Sequence, residues 1–456
     1  MAYQSTNPFT GKVEKTFDDI SAAQLEEKLK QADACFKTDW SARSFADRTA
    51  ILKRAATLMR ERSQMLAELI TLEMGKLIAQ SAGEVALSAS ILDYYADHAE
   101  RFLAPEKLDT PKGEAMVESS PIGVLFGVEP WNYPYYQIAR FAAPNLMAGN
   151  VVMVKHASSV PQCALAFEQL MVDAGAPAGA YTNLFITKDQ VAQVIEDPRI
   201  RAVALTGSEG AGAIVAAQAG KQLKKSTLEL GGSDAFIVLE DADLDKAVKH
   251  AVSGRMGNSG QACTASKRFI VVEKLADSFL DKFQAALGQF APGDPLDKAT
   301  TLAPLSSAQA LKDLLKQVDG AVSSGARVVM GGKRIDGLPG NFMQPTILTD
   351  IVEKNPAYKE EFFGPVALFF RVADEDAAIA LANDSPFGLG GSVFTQDIER
   401  GKRVARKIDT GMVFINSGAV SSPELPFGGV KNSGYGRELS GAGIQEFVNK
   451  KLIRVN

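Results

Sequence analysis

Cysteine and histidine are scarce in this chain: 456 residues carry three of each. Cys35, Cys163 and Cys263 are too few and too scattered for a disulfide framework, and none belongs to a CxxC pair. A zinc site would have to draw on these and on His98, His156 and His250, all far apart in sequence, so no metal site is expected. Neither charge sign dominates: 49 Lys and Arg face 54 Asp and Glu, a net charge of −5. That balance lacks the electrostatic footprint of a nucleic-acid or anionic-membrane binder. No apolar run approaches the roughly 18 residues of a membrane helix. The opening stretch MAYQSTNPFTGKVEK is polar and has no apolar signal core. Together these absences lead to the expectation of a soluble, multidomain protein of the reducing cytoplasm. What is present is ordinary globular composition, 46% hydrophobic and 23% charged, which excludes disorder and fibrous classes. A chain of this length reads as two to four domains and can bury a large core without covalent staples.

Residues 20–103 read as helical, and the segment from Ala46 to Met74 places apolar and charged positions at helical spacing. From Pro121 short β-rich runs alternate with helical stretches: GVLFGV, NVVMVK, YTNLFI, RAVALTG, AFIVL, RFIVV, RVVMGG, PVALFF and MVFIN. Such alternation predicts α/β architecture with parallel sheets. No repeat, long linker or low-complexity tract interrupts it. The last run, FVNKKLIRV from Phe447 to Val455, reads as a terminal strand that pairs either with its own sheet or with another subunit.

Five clusters could carry chemistry. In NSGQAC, Gly260 allows tight backbone geometry just before Cys263, which reads equally as a nucleophile and as a structural thiol. Cys35 and Cys163 read as structural. In TLELGG, Glu229 sits between leucines, where desolvation would raise its pKa towards that of a general base; pairing with a nearby cation is the alternative. In EPWNYP two prolines brace a rigid loop around Asn132, either a turn residue or an amide donor to an oxyanion. The strand RAVAL runs into TGSEGAG, where glycines before a helix make either a phosphate site or a plain βα turn. Its spacing is not the common G-x-G-x-x-G. Lys155 of KHAS ends the strand NVVMVK, either as a ligand contact, since α/β sheets bind ligands there, or as a solvated strand-end lysine.

Taken together, PWNYP, TGSEGAG, LELGG, NSGQAC, EEFFGP and PFGGVKNSGYGRE resemble the aldehyde dehydrogenase superfamily, in that family's order and over nearly the whole chain. The resemblance is strongest to the short bacterial succinate-semialdehyde dehydrogenases, which carry KHAS in place of the more usual KPxE. It implies a Rossmann-like cofactor domain over residues 1–102 and 122–231, an α/β catalytic domain over 232–431, and a β oligomerisation arm over 103–121 and 440–456. The implied assembly is a homodimer or homotetramer.

By the same resemblance, Cys263 is the nucleophile, Glu229 the general base and Asn132 the oxyanion donor, working with the backbone N–H of Cys263. Lys155 would contact the adenosine ribose and Ser208 the pyrophosphate. Glu361 and Phe363 would hold the nicotinamide ribose and ring, and Trp131 and Gly207 belong to the same coenzyme-binding set. The implied reaction oxidises an aldehyde through a thiohemiacetal and a thioester that water hydrolyses.

Ser158 replaces the family's usual glutamate, which would repel a 2′-phosphate, so NADP is expected to be accepted and NAD to remain usable. Arg140 is expected to bind the distal carboxylate of succinic semialdehyde, unless it is a helix-surface arginine. Tyr136, Ser421 and Ser422 would line the substrate tunnel. Gly257 stands where some relatives have a second arginine, and Arg255 is nearby. Broad aliphatic aldehydes or glutarate semialdehyde are the alternative substrates. Ala265 stands where some relatives carry a second cysteine for redox control. A CoA-acylating enzyme would generally lack Glu229, a cysteine hydrolase would want a Cys–His pair, and a noncatalytic relative should have lost Cys263 or Glu229.

Overall fold

The computed structural model describes residues 3–456. Its first helices are Ala22–Thr38, Phe45–Glu61, Ser63–Met74 and Ile78–Phe102. Local chemistry sets their ends. Ser21 and Ser44 form capping boxes with Gln24 and Asp47. Gly75, at φ +79°, closes the third helix in the left-handed region. The helical stretch from Ala46 to Met74 is two helices rather than one, with a break at Arg62 that its hydrophobic periodicity does not reveal.

A six-stranded sheet follows, in the spatial order Gly434–Tyr435, Lys225–Glu229, Ile200–Thr206, Val124–Glu129, Val151–His156, Tyr181–Asn183. All neighbours are parallel except the Gly434–Tyr435 edge. The chain lays down Val124–Glu129 first, builds outward to Tyr181–Asn183, then crosses back to Ile200–Thr206. The crevice beyond the carboxyl ends of Val124–Glu129 and Ile200–Thr206 is therefore a topological switch point, where open α/β sheets bind ligands.

A second sheet of seven strands takes the order Arg327–Met330, Thr346–Thr349, Val366–Val372, Ser266–Val272, Asp234–Val238, Gly391–Phe394, Phe414–Ile415. Its two faces feed two separate cores. Ala235, Ile237 and Ile270 pack on one face, and Phe236, Val238, Phe269 and Val271 on the other, following the two-residue period of a strand. Phe236 stacks on Phe394 with ring centroids 4.5 Å apart.

The terminal strand Val448–Val455 pairs antiparallel with Glu114–Pro121 of the same chain, in register from Val448–Pro121 to Val455–Glu114. Glu106–Leu108 pairs with the other edge of Glu114–Pro121. Within the chain, then, FVNKKLIRV joins its own small sheet.

Candidate active site

The segment from Asn258 to Cys263 is backbone made to present a side chain. Asn258, Ser259 and Gly260 adopt φ of +50°, +51° and +78°, a left-handed turn. For the two non-glycine residues this costs on the order of 1 kcal/mol or more each. Buried hydrogen bonds hold it. Asn258 Nδ2 donates to the carbonyls of Asn132 and Gln261, both at 3.1 Å. Ser259 Oγ donates to Ala303 O at 2.9 Å, and Arg255 Nη2 to Gly260 O at 2.6 Å. Arg255, fully buried, thus braces the loop from behind; burial pulls its pKa down to about 9. Cys263 emerges half-buried at the end of this turn, whereas Cys35 and Cys163 are buried.

Asn132 follows the strand Val124–Glu129 in the crevice. Its Nδ2 donates to Gln261 O at 3.0 Å, tying it to the cysteine loop. Its own carbonyl accepts from Lys76 Nζ at 2.8 Å. Lys76 is buried, lies 3.7 Å from the Tyr133 ring centroid and pairs with Glu84. Glu84 in turn accepts from Tyr135 N at 2.9 Å and Tyr136 N at 3.3 Å, capping the helix Pro134–Met147. A carboxylate from a distant helix therefore does the capping that no local side chain supplies.

Glu229 ends the strand Lys225–Glu229, and its carbonyl accepts from Gly207 N at 2.9 Å. Its carboxyl is buried, with Oε2 unpartnered. Burial pushes its pKa well above the usual carboxylic range, Glu438 adds to the rise, and Arg140 opposes it. A β-carbon on Gly428 would sit 2.7 Å from Glu229 Oε1, so only glycine leaves room for the acid there. The paired glycines after Leu230 serve the same end. A β-carbon on Gly231 would meet Glu361 Oε2 at 2.5 Å, and one on Gly232 would meet Cys263 O at 2.6 Å.

These residues converge on a cavity of about 300 Å³ lined by Trp131, Asn132, Gly207, Ser208, Glu229, Cys263, Glu361 and Phe363, with Thr206 and Gln137 beside them. Trp131 and Phe363 meet edge to face, centroids 5.9 Å apart. Ser208 is the N-cap of the helix Glu209–Lys221. Burial drives the Cys263 thiol up to about 12, with Lys267 and Arg140 pulling the other way. No histidine lines the cavity among the described residues. His156 is buried, with Nε2 2.9 Å from Pro134 O and Nδ1 accepting from Ala157 N at 2.8 Å; burial lowers its pKa to about 4 and keeps it neutral. The Cys–His arrangement of a hydrolase is not built here.

The remaining expected residues lie in two groups off the cavity wall. Lys155 and Ser158, both half-buried, stand at the end of the strand Val151–His156 against the N-terminal strand Tyr3–Thr6. Lys155 Nζ is 5.4 Å from the Tyr3 ring centroid, and Ser158 O accepts from Gln4 N at 2.9 Å. Burial lowers the Lys155 pKa, and nearby Lys188 lowers it further while Asp19 opposes.

The second group centres on Arg140, which is almost wholly buried, so the surface alternative is excluded. Its guanidinium lies 4.4 Å from the Phe427 centroid and 4.9 Å from that of Tyr136, and Nε pairs with Glu438. Nη1 donates to Tyr136 Oη and Nη2 to Thr206 Oγ1, both at 3.3 Å. Tyr136 Oη donates onward to Ser421 Oγ at 3.1 Å, with Ser422 adjacent. Glu129 is a further buried carboxyl near this cluster; burial, then Glu438, raises its pKa well above the usual range.

Lys76, Glu84, Lys267 and Glu438 were not among the sequence-derived candidates, whereas Arg255, noted beside Gly257, is buried and spends its guanidinium on Gly260 O. For Lys267 a signal existed: a lysine inside the apolar run SKRFIVV, four residues after Cys263. For the others the partner lies in a distant segment.

A family model described as Aldehyde dehydrogenase family matches residues 1–453. A Deinococcus radiodurans protein named succinate-semialdehyde dehydrogenase (NADP(+)) is 54% identical over 452 residues, covering 99% of this chain and 94% of that protein. A Mycobacterium ulcerans protein named succinate-semialdehyde dehydrogenase (NADP(+)) 1 is 46% identical over 458 residues, covering 100% of both. Among solved structures, succinic semialdehyde dehydrogenase from Streptococcus pyogenes in complex with NADP+ is 49% identical, with a TM-score of 0.98 over 100% of both chains.

Proposed function

The chain belongs to the aldehyde dehydrogenase family, and on that premise we propose that it oxidises succinic semialdehyde to succinate with NADP, NAD remaining usable. The observation that carries this reading is the convergence of Cys263, Asn132 and Glu229 on one cavity that Glu361 and Phe363 also line. The full-length relatives that bear this activity in their names support the substrate and the coenzyme.

The residues present fit a dinucleotide. The Gly207–Ser208 turn opens a helix N-terminus onto the cavity, suited to a pyrophosphate. Trp131, Glu361 and Phe363 would hold the nicotinamide end, and Lys155 and Ser158 the adenosine ribose. With serine at position 158, no carboxylate there opposes a 2′-phosphate. When bound, the coenzyme supplies a hydride-accepting, positively charged ring.

The chain's own residues do the rest. The Cys263 sulfur adds to the aldehyde carbon as a thiolate. The developing oxyanion accepts from Asn132 Nδ2 and from the Cys263 backbone N–H. Once the carbon is oxidised, the acyl group remains on Cys263 as a thioester. Glu229 takes a proton from water, which attacks the thioester and frees the acid. A raised pKa makes the Glu229 carboxylate, once deprotonated, a stronger base towards water. Its presence favours water over CoA as the acyl acceptor.

Tyr136, Arg140, Ser421 and Ser422 form the proposed pocket for the distal carboxylate. What supports it is a continuous hydrogen-bonded chain from Arg140 Nη1 to Tyr136 Oη to Ser421 Oγ, beside the cavity wall rather than on it.

Residues 1–102 and 122–231 form the proposed coenzyme domain and 232–431 the catalytic domain, a division supported by the change of sheet between Glu229 and Asp234. Segments 103–121 and 440–456 form the proposed arm of a homodimer or homotetramer. Support comes from the open edge of Val448–Val455 and its exposed Leu452 and Val455. A cytoplasmic setting accords with three unpaired cysteines, and no helix among the described residues is long and apolar enough to cross a membrane.

The testing experiment follows NADPH and NADH formation with succinic, glutaric and neutral aldehydes in the absence of CoA. Succinic semialdehyde with NADP should give the highest kcat/KM. A requirement for CoA, or a preference for neutral aldehydes, would overturn the reading.

A further inference from the structure

Lys267 is fully buried, yet its ammonium meets three acceptors from two separate segments. Nζ donates to Ala262 O at 2.8 Å and to Cys263 O at 2.7 Å, and it pairs with Glu361 Oε1 at 3.0 Å. An ammonium has three N–H bonds, so its donor capacity is used in full. Glu361 Oε1 also accepts from Gly232 N at 3.1 Å. One side chain thus ties NSGQAC to EEFFGP and, through Glu361, to LELGG. A buried charge is retained at high cost unless such partners compensate it.

We propose that Lys267 is a positioning residue for the aldehyde oxidation, which holds the Cys263 backbone and supplies the positive charge that favours the thiolate, while parking the Glu361 carboxylate beside it. The inference rests on the assignment of Cys263 as nucleophile. The charged groups that act on the thiol are Lys267 and Arg140, which favour its ionisation, and Glu361 and Glu229, which oppose it. Lys267 comes first among the favourable pair, and its carbonyl contacts fix it to the cysteine's own backbone. Arg140 is shared with Glu438. The two neighbours of the thiol should therefore act with opposite sign: removing the Lys267 cation should disfavour the thiolate, and neutralising Glu361 should favour it.

The test is the pH dependence of Cys263 alkylation by iodoacetamide in the full-length protein, read by peptide mass spectrometry so that the buried Cys35 and Cys163 are resolved separately. Turnover plays no part in this readout. Lys267→Met should move the alkylation midpoint up by about one pH unit, which is about a tenfold slower reaction at a fixed pH below both midpoints. Lys267→Arg should restore most of the loss, and Glu361→Gln should move the midpoint down. An unchanged midpoint in folded Lys267→Met would overturn the proposal. If that variant does not fold, an unchanged or raised midpoint in Glu361→Gln overturns it instead. The nucleophile assignment stands or falls separately, on the activity of Cys263→Ser.

Discussion

Arg140 and Glu438 form an ion pair in the protein interior, with the guanidinium held between the rings of Tyr136 and Phe427. Burial works against the Arg140 charge, but Glu438 and then Tyr136 outweigh it and hold the proton more firmly than in free arginine. The cation is therefore permanent, and one of its N–H groups already points at the Tyr136 hydroxyl.

Arg140→Met should raise KM for succinic semialdehyde by roughly tenfold to a hundredfold, the worth of a charge-assisted hydrogen bond at about 1.5–3 kcal/mol. KM for a neutral aldehyde of similar length should change much less. Paired KM measurements on the two substrates check this; equal effects would remove Arg140 from substrate recognition.

Glu229→Gln should separate stability from activity along the pH axis. Below the ordinary carboxylic range, near about pH 4, folded and unfolded chains both hold the Glu229 proton. Above it the unfolded chain releases that proton while the folded chain keeps it, because burial, then Glu438, raises the folded value. Wild-type stability therefore declines as pH rises towards the folded-state value. The glutamine variant lacks this penalty, so urea denaturation should show its advantage growing from acid to neutral pH. Its kcat should fall by on the order of a hundredfold or more, with loss of the rising limb that proton transfer to Glu229 produces. A constant stability gap across pH would contradict the assigned shift.

Ser158→Glu should lower the NADP/NAD ratio of kcat/KM by at least about tenfold, since juxtaposed like charges cost several kcal/mol. Steady-state kinetics with both coenzymes measures it. An unchanged ratio would move the coenzyme discrimination elsewhere, to the neighbourhood of Lys155 and Lys188.

Much of this was legible in the residues themselves. The runs ending at Glu129, His156 and Thr206 read as strands because buried parallel strands are continuously apolar. The motifs after them then fall at the carboxyl ends of those strands. The strands Gly391–Phe394 and Thr346–Thr349 escaped, because each carries only two consecutive apolar residues, fewer than the runs that were read. The break at Arg62 escaped because both helices it joins keep an apolar stripe. The left-handed φ of Asn258 and Ser259 is imposed by partners such as Gln80, Asn132 and Ala303, which lie far away in sequence. The same holds for Arg140. The family resemblance points to a role for it, but only the packing of Glu438 and Phe427 decides that it is buried.

In the proposed reaction the Cys263 sulfur captures the carbonyl carbon and carries the acyl group. Peptide mass spectrometry of the wild-type protein, acid-quenched during turnover of succinic semialdehyde with NADP and then digested, tests it most directly alongside Cys263→Ser. A succinyl adduct is expected on the peptide containing Cys263 in the wild type. Neither adduct nor NADPH formation is expected in the variant. A variant that forms NADPH at the wild-type rate, or an adduct on Cys35 or Cys163 instead, would contradict this role for Cys263.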